Sequence, residues 1–373
     1  MTSCHKTQTQ SSLLNKSINC QVLDVSNPLW QLSLEKLRHD IYHLPAYVAL
    51  EAQRSNATPE AILITEGDKI FFLPYLLRSC DAPTSHQSQG EFFDIISPYG
   101  YPGILVNVAA NTPEFLNIAL NELQHHLSQK QVCSAFLRLH PILNQNWSEI
   151  HPNCRINGET VSIDLKLSLT EMWSHIRPVN RNRINKCKRL GMIAKIVPIV
   201  DYIDDFINIY EQTMDRVGAT QYYYFGKDYF LQLAQALKHQ LHLCIVEFNN
   251  EIICGGLFTE ACGIVQYHLS GTKSTFLKQA PNKLMFDYVR VWAKERNNEF
   301  LHLGGGVGGA KDSLYEFKAS FSRQRHTFST LRLVVDENNY DRLVEKRAQE
   351  LNVPVEKLLN SNFFPAYRIT HIE

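Results

Sequence analysis

A run of glycines between a short apolar strand and an amphipathic helix is the part of this sequence best suited to chemistry. Residues 300–321 hold five glycines in six positions, at 304–309. Glycine reaches positive φ without strain, and its bare backbone lets another group come close. Amides at the start of a following helix attract anions. The segment therefore predicts a ligand site, with Asp312 or Ser313 capping the helix.

Two phosphate-binding motifs fit the glycine run poorly. Gly304–Gly309 formally matches GxGxxG, but a dinucleotide site also needs a parallel βαβ unit and an acidic residue about 20 positions further on. Asp336 lies further along the sequence than that role requires. A P-loop is excluded, because Asp312 follows Lys311 where Ser or Thr would bind magnesium. A dinucleotide-binding oxidoreductase stays open only as a minor alternative.

A basic segment lies in the middle of the chain. Its cationic residues are Arg177, Arg181, Arg183, Lys186, Lys188 and Arg189, and no acidic residue lies between positions 177 and 195. A phosphate-bearing substrate or an RNA would explain this concentration of charge. A solvated helix face would explain it equally well.

Two tyrosine-containing segments are further candidates for substrate recognition. The loop Ser97–Gly103 presents Tyr99 and Tyr101 between prolines and glycines, directly after a strand that carries Asp94. The strand at 263–269 carries Tyr267 and runs on to Ser270, and strict alternation would put these two on opposite faces.

Composition limits the class of protein without deciding its function. The 373 residues are 44% hydrophobic and 20% charged, with 37 basic and 37 acidic side chains. This balance does not indicate a general nucleic-acid binder. The nine cysteines form no CxxC pair, no Cys/His cluster has metal-ligand spacing, and residues 1–20 lack the apolar core of a signal peptide. No window reaches the length of a membrane span. We expect a cytoplasmic protein that binds no metal.

The order of predicted elements places these segments in two α/β units with mixed sheets. Residues 1–165 contain a hairpin at 61–77, a helix at 112–131 and strands on either side of it. Residues 166–373 repeat the order of hairpin, strand, helix and strand. A single basic helix is expected at 169–190. In the last helix, Leu314, Phe317 and Phe321 are expected to share one face.

Several of these motifs together resemble the GNAT-like acyltransferases of the Fem family, the aminoacyltransferases that build peptidoglycan cross-bridges. The resemblance is carried by Tyr267–Thr272, by Ala280-Pro281, by Leu301–Gly306 and by Asp312–Phe321. The segment Asp94–Gly103 resembles a subgroup associated with envelope polysaccharide. The resemblance implies two tandem GNAT-like domains, at 1–165 and 166–373, with an acceptor groove between them.

The resemblance also implies an activity. It predicts an N-acyl- or N-aminoacyltransferase that acts on an amino group of a cell-envelope glycan or lipid-linked precursor. Acyl-CoA or aminoacyl-tRNA would be the donor. The turn at 272–282 lacks the interior glycines with which GNAT proteins grip coenzyme A, which leaves tRNA open as a partner. The alternative is a degenerate, non-catalytic pair of GNAT domains that binds nucleotide-sugar or RNA.

The candidate residues follow from the same motifs. Lys318, within Phe-Lys-x-x-Phe, matches a lysine of the family credited with binding substrate charge or assisting transfer. Tyr267 lies on the strand that runs alongside the donor in GNAT folds. These two are the catalytic candidates. The substrate-binding candidates are Asp94, Ser97, Tyr99, Tyr101, Arg181, Ser270, Gly304, Gly305, Gly306, Asp312 and Ser313.

Overall fold

The computed structural model describes residues 17–80, 92–145 and 147–370. The polar loop expected at 79–91 lies outside these residues apart from its first two positions, as does most of the polar segment 1–20.

The described strands form one mixed sheet. They are β1 (Asn19–Asp24), β2 (Thr58–Glu66), β3 (Lys69–Ser79), β4 (Phe93–Ile96), β5 (Leu105–Val106), β6 (Val132–Arg138), β7 (Cys154–Asp164), β8 (Ile193–Val197), β9 (Leu241–Phe248), β10 (Glu251–Ala261), β11 (Ile264–Thr272), β12 (Phe300–Gly304) and β13 (Gln324–Val334). Their order is β1-β2-β3-β4-β6-β13-β7-β12-β11-β10-β9-β8, and β5 pairs with β3.

Two strand pairs in this sheet are parallel, β4 with β6 and β11 with β12. The other described pairs are antiparallel, including the predicted hairpins β2–β3 and β9–β10. Each half of the sequence thus contributes one parallel pair to an otherwise antiparallel sheet. Because β13 pairs antiparallel with β6 and β7 and does not neighbour β12, the glycine run does not sit in the parallel βαβ unit of a dinucleotide site.

The helices pack on both halves of the sheet. They are α1 (Pro28–Glu35), α2 (Pro45–Ser55), α3 (Pro113–Gln129), α4 (Trp147–Ile150), α5 (Leu169–His175), α6 (Pro178–Arg189), α7 (Ile199–Val217), α8 (Lys227–Leu237), α9 (Pro281–Glu295), α10 (Ser313–Ala319), α11 (Glu337–Leu351) and α12 (Val355–Leu359). One apolar core is built around Phe71, Phe115 and Leu137, and another around Phe258, Phe286 and Phe321.

The single basic helix predicted at 169–190 is wrong, because Pro178 divides it. Proline disfavours helical backbone in the residue before it, and Arg177 has ψ 140°. α5 therefore ends at His175, and α6 begins at Pro178 and carries most of the basic residues.

The last strand joins the first half of the sequence. β13 lies between β6 and β7, with Thr330 opposite both Arg138 and Arg155. The division at residue 165 stays a prediction, since one continuous sheet runs through both halves.

Candidate active site

A gap opens in the sheet where β11 and β12 stop pairing. The two strands are in register from Ile264 with Phe300 to Gln266 with His302. Beyond that point β11 continues to Thr272 and β12 to Gly304 without pairing to each other. Where two parallel strands separate, a ligand can bind between their unpaired backbone edges.

Lys318 reaches this gap from α10. Its Nζ donates a hydrogen bond of 2.6 Å to the Gly305 carbonyl and lies 5.7 Å from the centre of the Tyr267 ring. The side chain is only 8% exposed, and burial lowers its pKa to about 8. At neutral pH Lys318 is therefore mainly an ammonium with a readily released proton.

α10 holds Lys318 in place through its capped N-terminus. Asp312 accepts hydrogen bonds from the amides of Tyr315, at 2.8 Å, and Val307, at 3.0 Å. Burial opposes ionisation of Asp312, but the backbone hydrogen bonds outweigh it and lower its pKa. The prediction that Asp312 or Ser313 caps this helix is confirmed, with Asp312 as the cap.

The apolar face predicted for this helix is only partly correct. Leu314 is 38% exposed, whereas Phe317 and Phe321 pack edge to face with centroids 5.3 Å apart. α10 ends at Ala319, so the expected spacing does not extend to Phe321 within the helix. The buried face of α10 instead includes Lys318, because that side chain points into the gap.

Two of the five glycines pack closely against β7, and a third packs against its own turn. A Cβ at Gly305 would lie 2.8 Å from the Glu159 carbonyl oxygen, and one at Gly309 would lie 2.6 Å from that of Asn157. A Cβ at Gly306 would lie 2.0 Å from the Ala310 carbonyl oxygen. Gly304 differs, because it has φ +79° and a Cβ there would lie 3.2 Å from Lys318 Nζ.

Substitution in the glycine run tests this packing. We expect Gly306→Ala to lower the free energy of unfolding by about 3 kcal/mol, because its methyl group overlaps the Ala310 carbonyl and the Asp312 cap. Gly308→Asn is the matched control. Gly308 has φ +62° and open space around it, and Asn tolerates this conformation, so a loss below about 1 kcal/mol is expected. Equal effects in urea unfolding would contradict the steric explanation.

The tyrosine loop meets the Lys318 site at Tyr101. The Tyr101 ring packs edge-on against His302, with centroids 5.3 Å apart, and against Phe328 at 5.2 Å. Tyr101 also hydrogen bonds to the Gly305 backbone, while burial, the larger effect, raises the pKa of its hydroxyl. The structure therefore brings Tyr101 together with Lys318 and Gly304.

Tyr99 and Ser97 have other surroundings. Tyr99 lies in an aromatic cluster with Tyr222, Phe225 and His268, at centroid distances near 6 Å. Ser97 is buried, and its hydroxyl accepts a hydrogen bond of 2.9 Å from the Arg138 amide.

Tyr267 and Ser270 lie on the same side of β11, so the predicted alternation is wrong. Their hydroxyls are 2.5 Å apart. The reason is a β-bulge, in which Leu257 pairs with Leu269 but Phe258 pairs with Tyr267. The extra residue reverses the alternation. Burial raises the pKa of Tyr267 to about 12, so its hydroxyl stays protonated.

Asp94 does not join the Lys318 site. Its buried carboxylate accepts hydrogen bonds of 2.8 Å from both Arg78 and Arg368, and a longer one from Tyr367. These contacts tie the C-terminal segment to β4.

The basic residues of α6 are partly compensated by acids elsewhere in the chain. Arg177 pairs with Glu316 at 3.0 Å, and Lys188 pairs with Asp287 at 2.7 Å. Arg181 is half-buried on α6. The structure places none of these side chains in contact with Lys318.

Four buried polar residues beside this gap were not predicted from the sequence. Asp40, His140, Gln266 and His302 are hydrogen-bonded in a chain that ends where β11 and β12 part. The only signal in the sequence was a histidine within an otherwise apolar strand.

The described residues contain neither a membrane-spanning helix nor a cluster of metal ligands. No helix in 17–80, 92–145 or 147–370 is long and apolar enough to cross a membrane. Within the same residues, no group of three His, Cys, Asp or Glu side chains could hold a metal ion.

Comparison with solved structures identifies the fold. The crystal structure of FemX superimposes with a TM-score of 0.67, covering 86% of this chain and 99% of that one at 12% sequence identity. A conserved protein of unknown function from Bacteroides thetaiotaomicron gives 0.51, covering 84% and 99% at 12% identity. The C-terminal domain of a putative lysylphosphatidylglycerol synthetase from Agrobacterium fabrum gives 0.50, covering 83% and 91% at 11% identity.

The protein thus has the mixed α/β fold of tandem GNAT-like domains, and the predicted likeness to Fem proteins is confirmed at the level of the fold. No protein-family model and no curated protein matches the sequence. The finer assignment to an envelope-polysaccharide subgroup stays a prediction.

Proposed function

We propose that the protein is an N-acyl- or N-aminoacyltransferase. The observation that carries this proposal is Lys318, a buried ammonium with a lowered pKa beside the gap between β11 and β12. In acyl transfer an amine attacks the acyl carbonyl, negative charge develops on oxygen, and the leaving group needs a proton. Lys318 can stabilise that charge and donate that proton.

The supporting residues match this role. Tyr267 and Ser270 line the β11 side of the gap, and Tyr101 lines the side of the first domain. Gly304–Gly306 offer bare backbone to the substrate, and Asp312 and Ser313 start the helix that carries Lys318. The acceptor would lie in a groove between the domains at 1–165 and 166–373.

The substrates belong to this proposal as well. The donor is acyl-CoA or aminoacyl-tRNA, and the acceptor is an amino group on a cell-envelope glycan or lipid-linked precursor handled in the cytoplasm. The likeness to FemX, and to the C-terminal domain of a putative lysylphosphatidylglycerol synthetase, supports an envelope acceptor. The polysaccharide-type acceptor is the narrower form of this proposal.

A panel of donors tests the proposal. Purified protein is incubated with radiolabelled acetyl-CoA or charged tRNA and a set of amino sugars and lipid-linked amino sugars. We expect label to move from one donor class to an acceptor amine. Absence of transfer from either donor would contradict the transferase and favour a non-catalytic binding protein.

Binding of tRNA gives a separate expectation for α6. If tRNA is the donor, Arg181→Ala should weaken tRNA binding. The slope of the logarithm of the binding constant against the logarithm of the salt concentration should also become shallower by about one. Lys227→Ala is the control, since Lys227 lies on α8 in an exposed ion pair with Asp204. Unchanged tRNA binding by Arg181→Ala at low salt would indicate that the basic residues of α6 only face solvent.

A further inference from the structure

A chain of buried hydrogen bonds fixes the orientation and tautomer of His302. Asp40 Oδ2 accepts a bond of 2.6 Å from Gln266 Nε2, because a carboxylate only accepts. Gln266 must therefore present Oε1 to His302 Nδ1, at 2.6 Å. The proton of neutral His302 consequently sits on Nδ1, and Nε2 carries a free lone pair.

The tautomer of His140, at the other end of this chain of hydrogen bonds, is fixed as well. His140 Nδ1 accepts hydrogen bonds from the Ile142 and Leu143 amides, both at 3.1 Å. Its Nε2 therefore carries the proton and donates to Asp40 Oδ2 at 3.0 Å. The other oxygen of Asp40, Oδ1, accepts a hydrogen bond of 2.6 Å from the Ile41 amide.

The lone pair on His302 Nε2 has no partner among the described residues. The atom is buried, and so is the hydroxyl of Thr160 on neighbouring β7, which is also unpartnered there. A buried acceptor left without a hydrogen bond costs about 1–3 kcal/mol. An unpartnered acceptor on the residue where β11 and β12 part indicates a place for a polar group of a ligand.

His302 also lies next to the reacting region. It is the last residue of β12 that pairs with β11, and Gly304, where a Cβ would lie 3.2 Å from Lys318 Nζ, is two positions further on. The Tyr101 ring stands edge-on against His302.

We propose that His302 Nε2 accepts the proton that the acceptor amine loses when it attacks the acyl carbonyl carbon. This inference rests on the proposed acyl transfer. The C–N bond forms and the bond from carbonyl carbon to the donor oxygen or sulfur breaks. Lys318 Nζ gives its proton to that leaving atom, and the proton on His302 then returns to Lys318 through solvent. Gln266 and Asp40 are positioning residues that keep Nε2 unprotonated.

The charge states suit these roles. Burial, and then the charges of His140, His326 and Lys318, hold the pKa of His302 well below its ordinary value of 6.5. The carboxylate of Asp40 contacts the His302 ring only through Gln266, and the hydroxyl of Tyr101, which packs on the ring, is neutral. At pH 7 His302 is thus an unprotonated base and Lys318 a protonated acid, as a base and acid pair requires.

A comparison of two nucleophiles tests the proposal. The wild type and His302→Gln are assayed with whichever donor is active in the panel above, using either the acceptor amine or hydroxylamine, a strong nucleophile whose weakly basic nitrogen gives up its proton to water after attack. We expect His302→Gln to lower kcat with the amine about 10²–10³-fold and to change the hydroxylamine rate by less than tenfold. His326→Gln is the matched control, because His326 is held by Ser162 on the same sheet.

The outcomes separate the two hypotheses. If the wild type transfers to neither nucleophile, the proposed function fails and this role of His302 fails with it. If the wild type transfers but His302→Gln loses both rates equally, or neither, His302 is not the base.

Nitrogen NMR of the histidines supplies a measurement that does not depend on activity or on a His302 variant folding. We expect His302 to show the Nδ1–H tautomer in the wild type and to lose that preference in Gln266→Leu. An Nε2–H tautomer in the wild type would overturn the proposal, since the lone pair would then be absent.

Discussion

Replacing Lys318 by methionine should lower kcat for acyl transfer by about 10²–10³-fold while leaving the protein folded. Methionine has a similar length but no ammonium, so it removes the charge that would stabilise the oxyanion and protonate the leaving group. Because the ammonium is buried, its replacement by an apolar side chain should not lower the melting temperature.

The pH dependence follows from the lowered pKa of Lys318. Transfer should decline as pH rises through about 8, where Lys318 loses its proton. Between about 8 and 10.5 the unfolded state binds the proton that the folded state has released. Stability should therefore rise with pH in this window, and that rise should be missing in Lys318→Met.

The control for this variant is Lys311→Met. Lys311 is an exposed lysine close by, and it pairs with Glu159 at 2.9 Å. It should keep wild-type kcat and the decline near pH 8. A wild-type rate in Lys318→Met would remove Lys318 from the mechanism.

The second large effect is expected at Asp94, on stability. Asp94→Ala leaves Arg78 and Arg368 without their shared buried carboxylate. Removing one partner of a buried ion pair costs about 3–5 kcal/mol, which urea unfolding would detect. The rate of transfer per folded molecule should not change, because the Asp94 carboxylate is bonded to Arg78, Arg368 and Tyr367 and not to Lys318.

Asp204→Ala is the matched control for Asp94→Ala. Asp204 pairs with Lys227, and both side chains are more than half exposed, so the cost should stay below about 1 kcal/mol. An unchanged unfolding free energy in Asp94→Ala, together with slower transfer, would return Asp94 to the substrate-binding candidates.

Much of the fold could be predicted because its signals are local. The hairpin β2–β3 follows from alternating apolar residues around Gly67, and the cap of α10 follows from the side chain of Asp312. The break before α6 was also encoded locally, in Pro178, but basic residues on both sides made the segment resemble one helix.

The candidate site was less predictable, because its geometry depends on contacts between distant segments. The bulge that brings Tyr267 and Ser270 to one side depends on pairing with β10. Asp40 and His302 are 262 positions apart in sequence and meet only through Gln266. No spacing rule relates such residues, so the Lys318 motif was visible in the sequence and its proposed base was not.

The position of β13 has a consequence for how the protein is made. Until residues 324–334 leave the ribosome, β6 and β7 have no strand between them, although both were synthesised more than 150 residues earlier. Unpaired strand edges are templates for aggregation. The first half of the nascent chain is therefore the part that chaperones must shield, and cutting the gene near its middle should yield two insoluble fragments instead of two working domains.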